Sequence, residues 1–527
     1  MKIHLFKSVK NTQPNVNTKG FMRNKIIQYG IGMLFLLFVS NTLFANNIQI
    51  SNTTLTDKNT TDDFVLVQFD VFWENSWRVS TGPSNWDAAW VFIKYRVTTQ
   101  ATWKHATLHY VDGSGSGDGH TVPTNGVIES NNDNGTGGAH GAFIYRIADM
   151  PQTGVSYTGV QLRWDYGIDG VADTDEIEIC VLGIEMVYVP QNSFYVGTGN
   201  DAVDWSIFYT YPTANTPYNI TNENPIAVSP TANSFYYQID FDGGNNFSGD
   251  QLGPIPAEFP KGYKAFYCMK YEITQGQYVA FLNKLPQGGV DSRLDVSTSW
   301  NKERNRIWGT FPGTYTTDNP YVVCNYLSWA DVAAYLEWSA LRPMTELEFE
   351  KACKGPALPS QQGIYAWGTT NIFCVAAPLT NAGQESERTT YGSNCSCANG
   401  SGNTVDGPVR AGIFAETGNN REQSGATYYG IMEMSGSVWE YTITVGWPAG
   451  RAFIGNHGDG ELGGPFYEAN TWQWPGPDGV GAGFRGGSWS NQGGGSPSHR
   501  IDNRRHAAQS VSYRGRDVGG RGVRNAK

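Results

Sequence analysis

Glu440 is the first residue whose type and setting could do chemistry. It stands in Gly430-Ile-Met-Glu-Met-Ser-Gly-Ser-Val-Trp-Glu-Tyr441. The stretch Gly430 to Gly436 is too punctuated by Gly and Ser for a helix. Gly436 can take a positive φ without steric penalty, so a tight turn is expected there. Ser437 to Thr442 alternates apolar and polar residues, which predicts a short half-buried strand. Glu440 then faces one way, and Trp439 and Tyr441 the other. A carboxylate fixed beside a turn with free backbone carbonyls suits a hard cation. The same residues also suit a buried Trp with a hydrogen-bonded Glu that fastens a loop, which on residue types alone is the favoured reading.

Cysteine and histidine are the other candidates. The seven cysteines are Cys180, Cys268, Cys324, Cys353, Cys374, Cys395 and Cys397. An odd number leaves at least one outside any internal disulfide. Cys268, Cys324 and Cys353 lie in apolar stretches and read as small core residues. Cys374, Cys395 and Cys397 share one loop region and could form one bridge. Cys395-Ser-Cys397 alone has too few ligands for a metal motif. His105 and His109 are four apart in a segment that reads as a strand, where that step separates them by about 13 Å. A metal shared by those two is not expected.

The elements that must position these residues belong to a chain of 527 residues, long enough for two or three domains. Charged residues make up only 16%, against 63 Gly, 17 Trp and 28 Tyr, which points to loop-rich β structure and not to helical bundles. The net charge of −11 gives no overall attraction to nucleic acid or anionic membrane. Residues 1–45 read as an export signal: Arg23 and Lys25, an apolar run from Ile31 to Val39, and a small residue at Ala45. Met22 is an alternative start. The run is too short to span a bilayer comfortably, so no transmembrane span is expected after cleavage. Export to the periplasm, the cell surface or the medium is the expectation.

Residues 46–180 carry consecutive strand-like runs: Phe64–Trp73, Ala89–Arg96, Gly141–Arg146 and Val160–Trp164. Gly- and Asn-rich stretches separate them, and this spacing predicts an antiparallel β-sandwich. Trp73, Trp77, Trp86, Trp90 and Trp103 suit either sugar stacking or a sandwich core. From residue 183 the pattern changes to α+β. Ile184–Pro190 reads as a strand, and 200–255 as a polar insertion or surface loop. Ala265–Thr274 is a strand leading, through Thr274 as cap, into a helix over Gln275–Leu282. Ser328 caps a second helix through Trp338. Thr345 with Glu348 makes a capping box for a third, ended by Gly355.

These segments, with Gly483-Phe-Arg-Gly-Gly-Ser-Trp-Ser490, resemble the formylglycine-generating enzyme (sulfatase-modifying factor) family. The resemblance runs in order over 183–527. It is most specific in Ser-Gly-Ser-Val-Trp-Glu440, in Arg485-Gly-Gly-Ser-Trp489, and in Thr345-Glu-Leu-Glu-Phe-Glu350. It implies a variant of the C-type lectin fold and a pocket around Ser488 and Trp489. The family enzyme oxidises a protein Cys to formylglycine with copper held by two cysteines after the Gly-Gly-Ser segment. An ungapped transfer puts those positions at Asn491 and Ser496, and no Cys follows Cys397. Amide and hydroxyl oxygen do not replace the soft thiolates that select Cu(I), so copper is not expected and no catalytic residue is assigned. The resemblance also implies one structural Ca²⁺ held by Glu433, the carbonyls of Gly436 and Val438, and Glu440. The arginines of 500–527 read as structural.

The expectation from sequence is therefore an exported, non-catalytic relative of the enzyme. Its role would be binding or scaffolding toward a protein or glycan at the cell surface, with no nucleic-acid partner. An oxidoreductase with a remodelled site, and a carbohydrate-binding protein, are the competing readings.

Overall fold

The computed structural model describes residues 47–527 except 116, 200–205, 240–246, 296–298, 360, 391, 399–403, 417, 494–496 and 511. The expected export segment and Ser496 lie outside the described residues. Most regular structure is strand, with few and short helices. No helix among the described residues is long and apolar enough to cross a membrane.

Two sheets dominate. A five-stranded sheet runs in the order Gln49–Asn59, Phe64–Arg78, Met150–Trp164, Leu108–His109, Gly138–Ala139. Phe64–Arg78 alternates half-buried and buried residues along most of its length, as expected for a strand with one face on a core. The other is an eight-stranded sheet. Its central strands are Asp87–Val97 and Ile177–Val189, paired antiparallel from Ile177 opposite Val97 to Val187 opposite Asp87. Ile177–Val189 then also pairs with Phe266–Met269, which pairs with Gly522–Asn525. One strand thus crosses residues 180–183 without interruption and carries the sheet from the N-terminal region into the C-terminal one.

Asp87–Val97 is almost wholly buried on both faces. Ala89, Val91, Ile93 and Tyr95 join Val65, Phe69 and Trp73 in one buried core that draws on both sheets. Ala88, Trp90 and Phe92 point the other way, into a core shared with Phe281 and Trp338. The Trp90 indole donates to the Ser339 carbonyl at 2.9 Å. Neither Trp73 nor Trp90 has a face free to stack on a sugar. A buried ion cluster adds to the join: Lys270 contacts both Asp87 and Glu185 at 3.1 Å.

The three helices form where their caps predict. Thr274, Ser328 and Thr345 each close a capping box, over Gln275–Leu282, Trp329–Trp338 and Glu346–Lys354. The stretch 200–255 is less loop-like than its composition suggests. Phe208, Phe235 and Tyr237 are buried there, and the Arg504 guanidinium lies 3.9 Å and 4.3 Å from the Phe208 and Tyr237 ring centres. Polar turn residues around those aromatics hide an apolar minority that suffices to dock the segment.

Candidate functional site

The Gly430–Tyr441 stretch is a knot of turns between three strands. Gly436 has φ +95°, and its N–H donates to the Gly486 carbonyl at 2.9 Å. Ser437 N–H donates to Ser396, and Trp489 N–H donates back to Ser437. Trp439–Ile443 follows as the middle strand of a three-stranded sheet, with Glu440 opposite Arg485 on one side and Gly519 on the other. Tyr441 packs against Trp329 and Phe484 on the far face.

Glu440 is buried, and both its oxygens accept from Arg521, at 2.7 Å from Nε and 2.8 Å from Nη2. The same guanidinium donates to the Met432 carbonyl at 2.8 Å and to Met269 at 3.2 Å. Glu433 Oε1 accepts from Gly412 N–H at 2.8 Å, while Oε2 is buried without a hydrogen-bond partner among the described residues. A third buried carboxylate, Glu272, accepts from Val438 N–H at 3.2 Å through Oε1, and its Oε2 has no hydrogen-bond partner among the described residues. Burial pushes Glu433 up to about 7, against the pull of Arg521. It pushes Glu272 well above the usual carboxylate range, with the Glu440 charge adding to the shift. Burial works against the Arg521 charge, but Glu440 and Glu272 hold that guanidinium above its ordinary value.

The oxygen set implied for calcium is therefore matched to an internal cation. Ca²⁺ takes six to eight oxygens, and the central carboxylate here is already spent on a guanidinium. Glu433, Gly436, Val438 and Glu440 lie along one turn and the strand after it, and with both Glu440 oxygens on Arg521 the set as placed does not fit a hard metal ion. Sequence reasoning missed Arg521 because it comes from the last strands of the chain, in a run of arginines that all look alike. The bidentate geometry, not the sequence spacing, distinguishes it.

The implied pocket centres on Ser488 and Trp489. Both residues are buried. Ser488 Oγ donates to Asp517 at 2.9 Å, and Ser488 N–H donates to the Asn491 side-chain oxygen at 2.9 Å. Arg485, just before this turn, bridges Glu346 and Glu350 at 3.1 Å and 3.0 Å and is fully buried. Two cavities, of about 430 and 600 Å³, lie elsewhere. The first opens between Lys104, His105 and His140 of the N-terminal region and Asp459 and Glu461 of the C-terminal one.

Behind Ser488 lies a cluster that the sequence did not join. Cys395, Cys397 and His499 are all buried, and one ligand atom from each lies within 4.8 Å of the others. Among the described residues they form the one such group of three or more His, Cys, Asp or Glu side chains. Cys397 is disulfide-bonded to Cys374, one of the pairings left open above. His499 comes from a single turn, Pro497–His499, about a hundred residues further on. Burial pushes its ring down to about 4 and raises the Cys395 thiol well above its usual value. Cys-Ser-Cys was a partial signal; no sequence spacing announces its third member. His105 and His109 do not share a site: His105 contacts the His140 carbonyl, and His109 pairs with Asp165 at 2.8 Å.

Residues 229–526, more than half of the chain, match the sulfatase-modifying factor enzyme 1-like domain. The formylglycine-generating enzyme of Bos taurus is 23% identical over 214 residues, which cover 34% of this chain and 48% of that protein. Hercynine oxygenase of Mycolicibacterium smegmatis is 26% identical over 167 residues, covering 31% of this chain and 30% of that protein. The chain spans less than half the length of these curated relatives.

Proposed function

The chain belongs to the sulfatase-modifying factor enzyme 1-like family, and we propose that it is an exported, non-catalytic member with a binding or scaffolding role at the cell envelope. One observation carries this reading. Asn491, at a position the resemblance assigns to a copper thiolate, uses its side-chain oxygen to brace the Ser488 turn. An amide cannot supply a thiolate, and here it serves the backbone. The neighbouring Ser488 hydroxyl is likewise committed to Asp517.

The N-terminal region supports the scaffolding half of the proposal. We read it as a β-sandwich whose second sheet is also a wall of the C-terminal domain, so the two present one rigid surface to a protein or glycan partner. The buried arginines of the C-terminal run, Arg504, Arg521 and Arg524, are paired with Glu346, Glu440 and Asp133, which leaves them no role toward nucleic acid.

An oxidoreductase with a remodelled site is the second reading, and the Cys395 thiol and the His499 imidazole behind Ser488 are what favour it. Their burial weighs against it, because a peptide Cys must reach the reacting group. Copper reconstitution of the purified mature protein, followed by incubation with a thiol peptide in air, separates the two. No aldehyde beyond that of protein-free copper is expected. Aldehyde formed in proportion to protein would overturn the non-catalytic reading. Mass analysis of the mature N-terminus in fractionated cells tests export, with cleavage near Ala45 expected.

A further inference from the structure

The Cys374–Cys397 disulfide accounts for two of the sulfurs behind Ser488 but not for Cys395 or His499. His499 Nε2 lies 3.0 Å from the Ser488 carbonyl. A carbonyl oxygen only accepts, so the ring proton is on Nε2 and the lone pair is on Nδ1. That Nδ1 is buried and has no hydrogen-bond partner among the described residues. Leaving a buried acceptor unpaired is destabilising unless something else meets it. An imidazole whose outer N–H is held by a backbone carbonyl, with the inner nitrogen bare, is also the arrangement that orients histidine toward a metal.

The sulfurs complete the set. Cys395 Sγ makes one weak contact, to the Ser435 carbonyl at 3.4 Å. Two glycines let the backbone close over the cluster: a Cβ on Gly436 would lie 2.5 Å from Cys395 Sγ, and one on Gly493 2.0 Å from Cys374 Sγ. In a tetrahedral zinc site with Zn–S near 2.3 Å, neighbouring sulfurs sit about 3.8 Å apart. The ligand atoms of Cys395, Cys397 and His499 lie within 4.8 Å of one another, at most about 1 Å beyond that spacing.

We propose that Cys395, Cys397 and His499, with Cys374 as a fourth donor, form a site for a soft d¹⁰ metal ion, Zn²⁺ or Cu⁺, that is open when the Cys374–Cys397 disulfide is reduced and closed when it forms. Soft sulfur with one imidazole selects these ions over Ca²⁺ or Mg²⁺. The disulfide and the metal exclude each other, because a disulfide sulfur carries no thiolate charge. A dithiol reductant opens the site: two electrons and two protons break the S–S bond and leave two thiols. Metal entry then expels the protons of the thiols that ligate it. The proposal is independent of whether the protein catalyses anything.

The test uses the full mature chain, reduced with a phosphine or left oxidised, and titrated separately with Zn²⁺ and with Cu⁺ buffered by a competing chelator. Metal per chain is read by mass spectrometry after gel filtration. Co²⁺ substitution reads thiolate ligation as near-ultraviolet charge-transfer absorption. One metal ion per reduced chain and none per oxidised chain is expected. Cys395→Ser and His499→Gln each weaken binding by at least the roughly tenfold that outer-shell losses already produce. Cys353→Ser, a buried cysteine outside the cluster, leaves binding unchanged. Circular dichroism checks that each variant folds; should Cys395→Ser fail, the His499→Gln affinity and cobalt spectrum decide. Reduced protein that takes up no stoichiometric metal, or Cys395→Ser that binds as tightly as wild type, would overturn the site. Copper bound here without turnover leaves the non-catalytic reading intact. Turnover that disappears in Cys395→Ser would sink that reading and keep the site.

Discussion

Two buried centres flank the Gly436 turn, and they handle charge in opposite ways. On one side Glu272, Glu433 and Glu440 gather around Arg521, whose guanidinium occupies the central carboxylate. On the other, Cys395, the Cys374–Cys397 disulfide and His499 gather with no charge at all and one bare nitrogen. The first centre carries its cation within the chain and has little use for a metal. The second holds donors without an acceptor and is the better candidate for one. Carboxylates near a turn are thus a poorer guide to a metal than a missing partner is.

The sharpest way to break this comparison is to remove the internal cation. Arg521→Ala leaves Glu440 buried and unpaired, and breaking a buried pair on one side costs about 3–5 kcal/mol. Denaturant unfolding should show that loss. Added calcium should recover part of it in the variant, since the guanidinium no longer fills the space among three carboxylates. An Arg521→Ala protein as stable as wild type would mean that Arg521 is not what holds this centre together.

The next effect belongs to the other centre. The Cys374–Cys397 bridge spans 23 residues of sequence, and closing a loop of that length is worth about 3 kcal/mol on the chain-entropy account. Cys374→Ser should lose that much under oxidising conditions. A reductant should take about the same from wild type, and zinc should restore part of it by binding the folded form alone. The Arg521 centre is indifferent to reductant, so Arg521→Ala should respond to it as wild type does.

Titration separates the two centres with opposite signs. Glu433 is raised to about 7 in the folded chain from an ordinary 4.5. Its contribution is present below about pH 4.5 and lost as pH rises toward 7. The groups around it are Arg521, Arg410 and Glu440, with Glu272, Tyr271 and Cys395 also close enough to feel its charge. His499 is lowered from 6.5 to about 4, so its contribution is present above about 6.5 and lost as pH falls toward 4. Glu433→Gln should stabilise the protein at pH 8 by on the order of 2 kcal/mol and flatten the slope between pH 5 and 7. His499→Gln should instead reduce the loss on the acid side. Parallel stability–pH curves for Glu433→Gln and wild type would show that Glu433 is not held neutral by burial.

The sequence made the local parts legible and hid the assembled ones. Capping boxes at Thr274, Ser328 and Thr345 are short-range chemistry, and the three helices start at those residues. The Gly436 turn and the strand carrying Glu440 were likewise written in a dozen consecutive residues. What was not legible depends on distant partners. Trp90 alternates in its strand like any core residue, yet the core it enters is that of the next region. Arg521 lies 81 residues from Glu440, and His499 lies about a hundred from Cys397, so no local pattern links either pair. Asn491 could be read as a lost thiolate, but not as the brace of the Ser488 turn. The buried aromatics of 200–255 were masked by the polar residues between them.

The smallest expected effect is that of calcium on the wild-type protein, and it bears directly on the comparison. A calcium ion at Glu440 would have to expel the Arg521 guanidinium from both oxygens or sit beside a like charge in a buried setting. Either course opposes binding, because a carboxylate shared between two cations is less favourable to each. Glu433 offers one free oxygen and Glu272 another, too few without Glu440 for an ion that takes six to eight. Chelation with EDTA should therefore move the melting temperature by less than about 2 °C, the shift that well under 1 kcal/mol produces in a domain of this size. A drop of several degrees, reversed by calcium but not by magnesium, would mean that guanidinium and metal share the centre. The two sides of the Gly436 turn would then differ in the softness of the metal they take, and no longer in whether they take one.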